Sequence, residues 1–216
     1  MEKPIIATTL SGLFVSSQPW KEAHEVGMKE LANAVGNLSI AESSHSPNYF
    51  EKVEKAIAQI YPNLSPEERI AKRRGIYFQR VIDLIKANPE LKHQGIIDCF
   101  EELKENYKLA LITTNKEDSL KEILQALNLE NFFDIIETTK PEEKDDKIIV
   151  FNRFLEKHDK PVLYIGGNRR DSFDICKEKD IPHIFANLEN PDVALENVKT
   201  AYTLDDLKKL IREELR

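Results

Sequence analysis

Three short aliphatic runs each end in small, polar or charged residues. Pro4–Thr9 leads into Leu10-Ser11-Gly12, Lys108–Thr114 into Asn115-Lys116, and Pro161–Gly166 into Gly167-Asn168-Arg169-Arg170-Asp171. Hydroxyls, amides and cations at such ends, with the backbone N–H groups that follow them, are donors suited to an oxyanion. Lys140-Pro141 lies between the second and third runs. Metal-ligand spacing is missing: Cys99 and Cys176 stand apart among apolar neighbours and read as buried, reduced thiols. His24, His45, His93, His158 and His183 are scattered, which favours surface or core roles over a triad.

Carrying those residues to one place requires a sheet. Continuous apolar runs are the pattern of strands buried on both faces, as in a parallel sheet covered by helices. Phe133–Ile136, His183–Ala186 and Thr200–Tyr202 are further strand candidates. Between them, Glu117–Leu127 aligns Leu120, Ile123, Leu124 and Leu127, and Lys147–His158 aligns Ile148, Phe151, Phe154 and Leu155, on helical faces. The alternation predicts an α/β, doubly wound, Rossmann-like parallel sheet, with ligands beyond the carboxyl ends of its strands. Residues 18–88 break the alternation and read as three helices, Pro19–Val35, Pro47–Ile60 and Pro66–Ala87. Ser46-Pro47 and Ser65-Pro66 supply a capping serine followed by proline at the first helical position. The expected organisation is a core of 1–17 and 89–216 with a helical cap domain, 18–88, inserted after the first strand. Trp20, Tyr49, Phe50, Tyr77 and Phe78 are expected to fill the small core of that insert.

Composition narrows the function classes. The chain has 216 residues, 41% of them hydrophobic, enough for a packed core. Its formal net charge of -7 argues against a nucleic-acid partner, since such binding is driven by basic surface. No apolar run approaches the ~20 residues that span a membrane, and MEKPIIATTL lacks the apolar centre of a leader. The expectation is a cytoplasmic protein without nucleic-acid or membrane partners.

The order of these strand ends, over nearly the whole chain, resembles the haloacid dehalogenase superfamily of aspartate-nucleophile phosphotransferases. Its members begin with a strand ending Asp-x-Asp-Gly-Thr-Leu. A helical cap, a strand ending Thr/Ser-Asn, a motif Lys and Gly-Asp-x-x-x-Asp follow. Asn131–Ile136 and the ending Leu204-Asp205-Asp206-Leu207 are also typical. The resemblance implies phosphate-ester chemistry with Mg²⁺ as cofactor.

The departures from that pattern fall on the acids. Aligning Gly12 with the family glycine puts Thr9 at the nucleophile and Ser11 at the general acid/base. Aligning Gly166 puts Gly167 at a magnesium-binding Asp, while Asp171 remains. Thr114 matches the phosphate-binding hydroxyl and Lys140 the phosphate-clamping ammonium, with Lys144 and Lys147 as close rivals. A threonine is a poorer nucleophile than the carboxylate it replaces, and losing a covalent nucleophile costs on the order of a million-fold in rate. The expectation is a pseudoenzyme with no catalytic residue and no metal, binding a phosphate-bearing small molecule or a protein partner. Thr114, Asn115, Lys140 and Arg169 would contact the anion. The competing expectations are a phosphate-ester hydrolase with a non-standard site, and an interaction module in which Thr114 merely caps a helix and Lys140 is a solvated loop cation.

Overall fold

The computed structural model describes residues 2–42, 49–140, 143, 146–167, 170–190 and 194–216, except the side chains of 42, 49 and 50. Strands form where the aliphatic runs are densest. β1 (Ile5–Thr8) and β4 (Leu163–Gly166) are buried at every position, as strands covered on both faces must be. β2 (Lys108–Lys116), β3 (Ile135–Thr139), β5 (His183–Ala186) and β6 (Lys199–Ala201) complete the set. All pairings are parallel, and the six strands lie in the order β3-β2-β1-β4-β5-β6. The order reverses between β1 and β4, so the ligand crevice of such a sheet belongs at their carboxyl ends.

Helices α5 (Gln94–Leu103), α6 (Glu117–Ala126), α7 (Lys147–Lys157), α8 (Arg170–Glu178) and α9 (Leu204–Glu214) belong to the same unit. The core between α7, α8 and the sheet includes Ala7, Ala110, Ile112, Phe151, Phe154, Tyr164 and Phe173. A second aromatic group joins Phe14 to Phe100, Phe132 and Phe133, with ring centroids 4.8, 5.7 and 5.3 Å apart. That group explains why the third strand begins later than the sequence suggests. Phe133 is buried among rings before the strand, which starts at Ile135.

The chain divides into two compact units, Met1–Ser16 with Asn88–Arg216, and Ser17–Ala87. The second unit contains α1 (Gln18–Ala34), the short α2 (Ser39–Glu42), α3 (Tyr49–Ile60) and α4 (Pro66–Ala87). Its core gathers Met28, Leu31, Ala32, Ile40, Val53, Ala56 and Ile57. Ser65 and Glu68 exchange hydrogen bonds at the start of α4, at 2.7 and 3.2 Å, a reciprocal cap. Ser46-Pro47 lies outside the described residues. Of the aromatics expected to fill this unit, Phe78 is buried, whereas Trp20 and Tyr77 are half-buried. The side chains of Tyr49 and Phe50 lie outside the described residues.

The inward face of α7 differs from the expected one. Ile148 is 49% exposed, while Val150, Phe151 and Phe154 are buried and Lys147 is 1% exposed. The true stripe is 147, 150, 151 and 154, helical spacing beginning with a lysine.

Candidate functional site

At the end of β1, the Thr8 hydroxyl is buried and donates to the Ile165 carbonyl of β4 at 2.9 Å. This bond ties the two central strands together just before their loops begin. Thr9 follows, half-buried, and a tight turn comes next. The amides of Leu13 and Phe14 donate to the Leu10 carbonyl at 3.3 and 3.0 Å, and Gly12 donates to Val15 at 2.8 Å. Gly12 has φ +77°, a backbone state that glycine adopts without strain. His93 caps this region. Its amide donates to the Phe14 carbonyl at 2.9 Å, and its Nδ1 lies 2.7 Å from the Leu13 carbonyl.

Across the crevice, β4 ends at Gly166. A Cβ there would lie 2.7 Å from the Tyr164 ring and 2.9 Å from the Phe173 ring, so the aromatic core requires glycine. At Gly167 a Cβ would lie 2.7 Å from the Ser11 carbonyl oxygen and within 3.3 Å of two Gly12 backbone atoms. The β1 turn thus rests directly on the β4 loop. Asp171, half-buried in the first turn of α8, accepts the Ser172 amide at 3.0 Å. Asn168 and Arg169 lie outside the described residues.

Thr114 and Asn115 lie in β2, which runs two residues further than the sequence indicates, to Lys116. Thr113 is buried, and its hydroxyl accepts the Asn115 amide at 3.2 Å. The N-cap of α6 is Lys116, without a side-chain capping bond. The reading of Thr114 as a helix cap is therefore corrected: the strand continues past it.

The two lysines part company. Lys140 is exposed, and its amide donates to the Glu143 carboxylate at 2.9 Å. Glu143 in turn pairs with Arg153, which also bonds the buried Glu137 at 2.6 Å and the Thr138 carbonyl. Burial pushes the Glu143 carboxyl up, but the Arg153 hydrogen bond, the Lys140 amide and the Arg153 charge together hold it below the usual range. Lys147 is the buried cation, first residue of α7, after Asp146 accepts the Ile148 amide at 2.8 Å as N-cap. Its Nζ donates to the Ile112 carbonyl. The β2–β3 register shifts between Ile112 and Lys116, and such irregularities leave ladder groups to other partners. Sequence reasoning preferred Lys140 for its Lys-Pro context. The sequence signal for the burial of Lys147 is that it falls in register with Val150, Phe151 and Phe154.

Cys99 and Cys176 are free and buried. Burial pushes the Cys176 thiol up to about 12 against the opposing charge of Lys147, leaving it protonated and inert. A depression of about 360 Å³ at the amino ends of β1–β3 is lined by Glu2, Lys108, Glu156, Lys157, His158 and Asp159 among others. It sits at the sheet edge opposite to where open α/β sheets bind ligands. Among the described residues, no group of three or more His, Cys, Asp or Glu could hold a metal ion. No described helix is long and apolar enough to cross a membrane.

No curated protein matches the chain. Solved structures share its fold at low identity. A haloacid dehalogenase-like family hydrolase from Streptococcus pneumoniae has TM-score 0.65 and 20% identity, covering 97% of this chain and 98% of that one. β-Phosphoglucomutase from Clostridium difficile has TM-score 0.62 and 18% identity, with 99% and 97% covered. A phosphatase of the same superfamily from Thermococcus onnurineus has TM-score 0.57 and 16% identity, with 98% of each chain covered. The family model for haloacid dehalogenase-like hydrolases matches residues 22–185, so the chain belongs to that family.

Proposed function

We propose that this chain binds an oxyanion, carried by a phosphate-bearing small molecule, at the carboxyl ends of β1, β2 and β4 without hydrolysing it. The observation that carries the reading is an asymmetry of charge. Thr9, Ser11 and Gly167 stand where the family chemistry calls for acids, while Lys147 keeps a buried ammonium against the Ile112 carbonyl of β2. A carboxylate beside a phosphate oxygen repels it by about 4 kcal/mol per pair of unit charges at 4 Å and an effective dielectric of 20. Hydroxyls and bare backbone remove that repulsion, and with it the need for a metal to offset it. Thr114, Asn115 and Lys147 are the candidate donors, with the exposed Lys140 as an outer cation.

The family implies Mg²⁺, and the residues here do not fit it. Magnesium requires close to octahedral oxygen coordination with carboxylates usually among the ligands. Only Asp171 survives from the motif, and its carboxylate accepts an amide of its own helix. Thr9 has no adjacent base in sequence that would make it a nucleophile.

The test is thermal melting with inorganic phosphate and sugar phosphates in chelator, alongside aryl-phosphate hydrolysis with Mg²⁺. The expected result is ligand-dependent stabilisation lost in Lys147→Met, with no turnover. Turnover abolished by Thr9→Val would sink the proposal and favour a hydrolase with a non-standard site. The absence of any phosphate-induced shift would favour an interaction module.

A further inference from the structure

We infer that Gly167 makes this site metal-independent. The backbone of the Ser11–Gly12 turn fills the volume that a side chain at 167 would need, so the site takes a free oxyanion and excludes a magnesium-bound one. The inference rests on reading the strand ends as an anion receptor, and it adds the physical reason why restoring an acid would not restore a metal site.

The exclusion is steric. Thr8 pairs with Ile165 across the β1–β4 ladder, and the Thr8 hydroxyl donates to the Ile165 carbonyl at 2.9 Å. The residues that follow each strand therefore leave the sheet side by side. A Cβ on Gly167 would lie 2.7 Å from the Ser11 oxygen, 3.2 Å from the Gly12 carbonyl carbon and 3.3 Å from its Cα. A contact under 3.0 Å forces something to move, and every atom here is backbone. That backbone is held by three amide bonds, from Leu13 and Phe14 to Leu10 and from Gly12 to Val15. A rotamer change cannot relieve the collision, and aspartate, being longer than alanine, makes it no smaller. Three carboxylates are missing from the pattern, but only the one at 167 is closed off by packing in this way. Thr9 and Ser11 are half-buried side chains with an ordinary Cβ of their own.

The experiment uses the full chain and has two arms. In the first, melting and calorimetry are run with MgCl₂ alone, phosphate alone, and both together. Magnesium alone is expected to give no shift and no heat, and the phosphate shift is expected to be the same with and without it. Stoichiometric magnesium binding by the unmodified chain, lost in Asp171→Asn, would overturn the inference. In the second arm, Gly167→Ala and Gly167→Asp are compared with Gly75→Ala, whose new Cβ would meet nothing within 4 Å. Both Gly167 variants are expected to melt about 5 °C or more below the parent, and Gly75→Ala is not. Gly167→Asp melting at the parent temperature, or gaining stability from magnesium, would overturn the inference. If phosphate fails to bind the parent, the anion reading falls, yet the magnesium and Gly167 results still judge the steric claim on their own.

Discussion

Two corners of the same sheet edge, β1/β4 and β2/β3 with α7, have taken opposite courses. At the β1/β4 corner, backbone packs on backbone: the Ser11 carbonyl abuts Gly167, and Tyr164 and Phe173 crowd Gly166. At the β2/β3 corner, long charged side chains are kept and buried: Lys147 reaches the Ile112 carbonyl, and Arg153 joins Glu137, Glu143 and the Thr138 carbonyl. The contrast teaches that one sheet edge can be held together in two ways, by close backbone packing at glycines on one side and by buried charges that satisfy backbone carbonyls on the other.

The strongest way to break the comparison is to remove the organiser of the charged corner. Arg153 and Glu137 are 10% and 8% exposed, so Arg153→Met strands a buried carboxylate. Lys157, 3.1 Å from Glu137, recovers part of the loss. The expected cost is about 3 kcal/mol in chemical denaturation. A loss below about 1 kcal/mol would mean the corner is held by its apolar contacts instead. At the other corner, Gly166→Ala drives a methyl into two rings and is expected to cost about 2 kcal/mol. Unchanged stability there would show that the Tyr164 and Phe173 rings yield easily.

The two lysines sharpen the comparison further. Lys147→Met forfeits a charged hydrogen bond to the Ile112 carbonyl, an expected loss of about 1.5 kcal/mol, together with the phosphate-induced shift. Lys140→Met, at an exposed side chain, should change stability by less than about 0.5 kcal/mol and leave that shift in place. The reverse pattern would return the anion-facing role to Lys140.

The elements were legible in the sequence, but the contacts between them were less so. The aliphatic runs marked β1, β2, β4 and β5 because burial on both faces leaves a continuous apolar signature. Thr9, Gly166 and Gly167 could be read as strand ends for the same reason, whereas β2 runs on past Thr114 to Lys116. Motif proximity could not separate Lys140, Lys144 and Lys147, and the burial of Lys147 follows from the rotation of α7. Taking Ile148 as inward turned the helix by one residue and left Lys147 on the wrong side. Likewise Gly167 could be seen to lack a carboxylate, but nothing local in the chain tells that Ser11, far away in sequence, fills the gap.

The smallest effect concerns acid. Burial opposes its ionisation, yet the Glu143 carboxyl is held below its ordinary value by the Arg153 hydrogen bond, the Lys140 amide and the Arg153 charge. A carboxyl lowered on folding binds fewer protons in the folded chain than in the unfolded one. Its contribution is therefore full above the ordinary carboxylate range and is lost as pH falls through the lowered folded value. Glu143→Gln should consequently melt below the parent near neutral pH, and the gap should close as the buffer is taken below a pH of about 4. A gap that stays constant across that window would mean the Glu143–Arg153 contact acts through packing alone. The Lys140 loop would then be anchored to α7 by shape, and the charged corner would owe its order to Glu137 and Lys147.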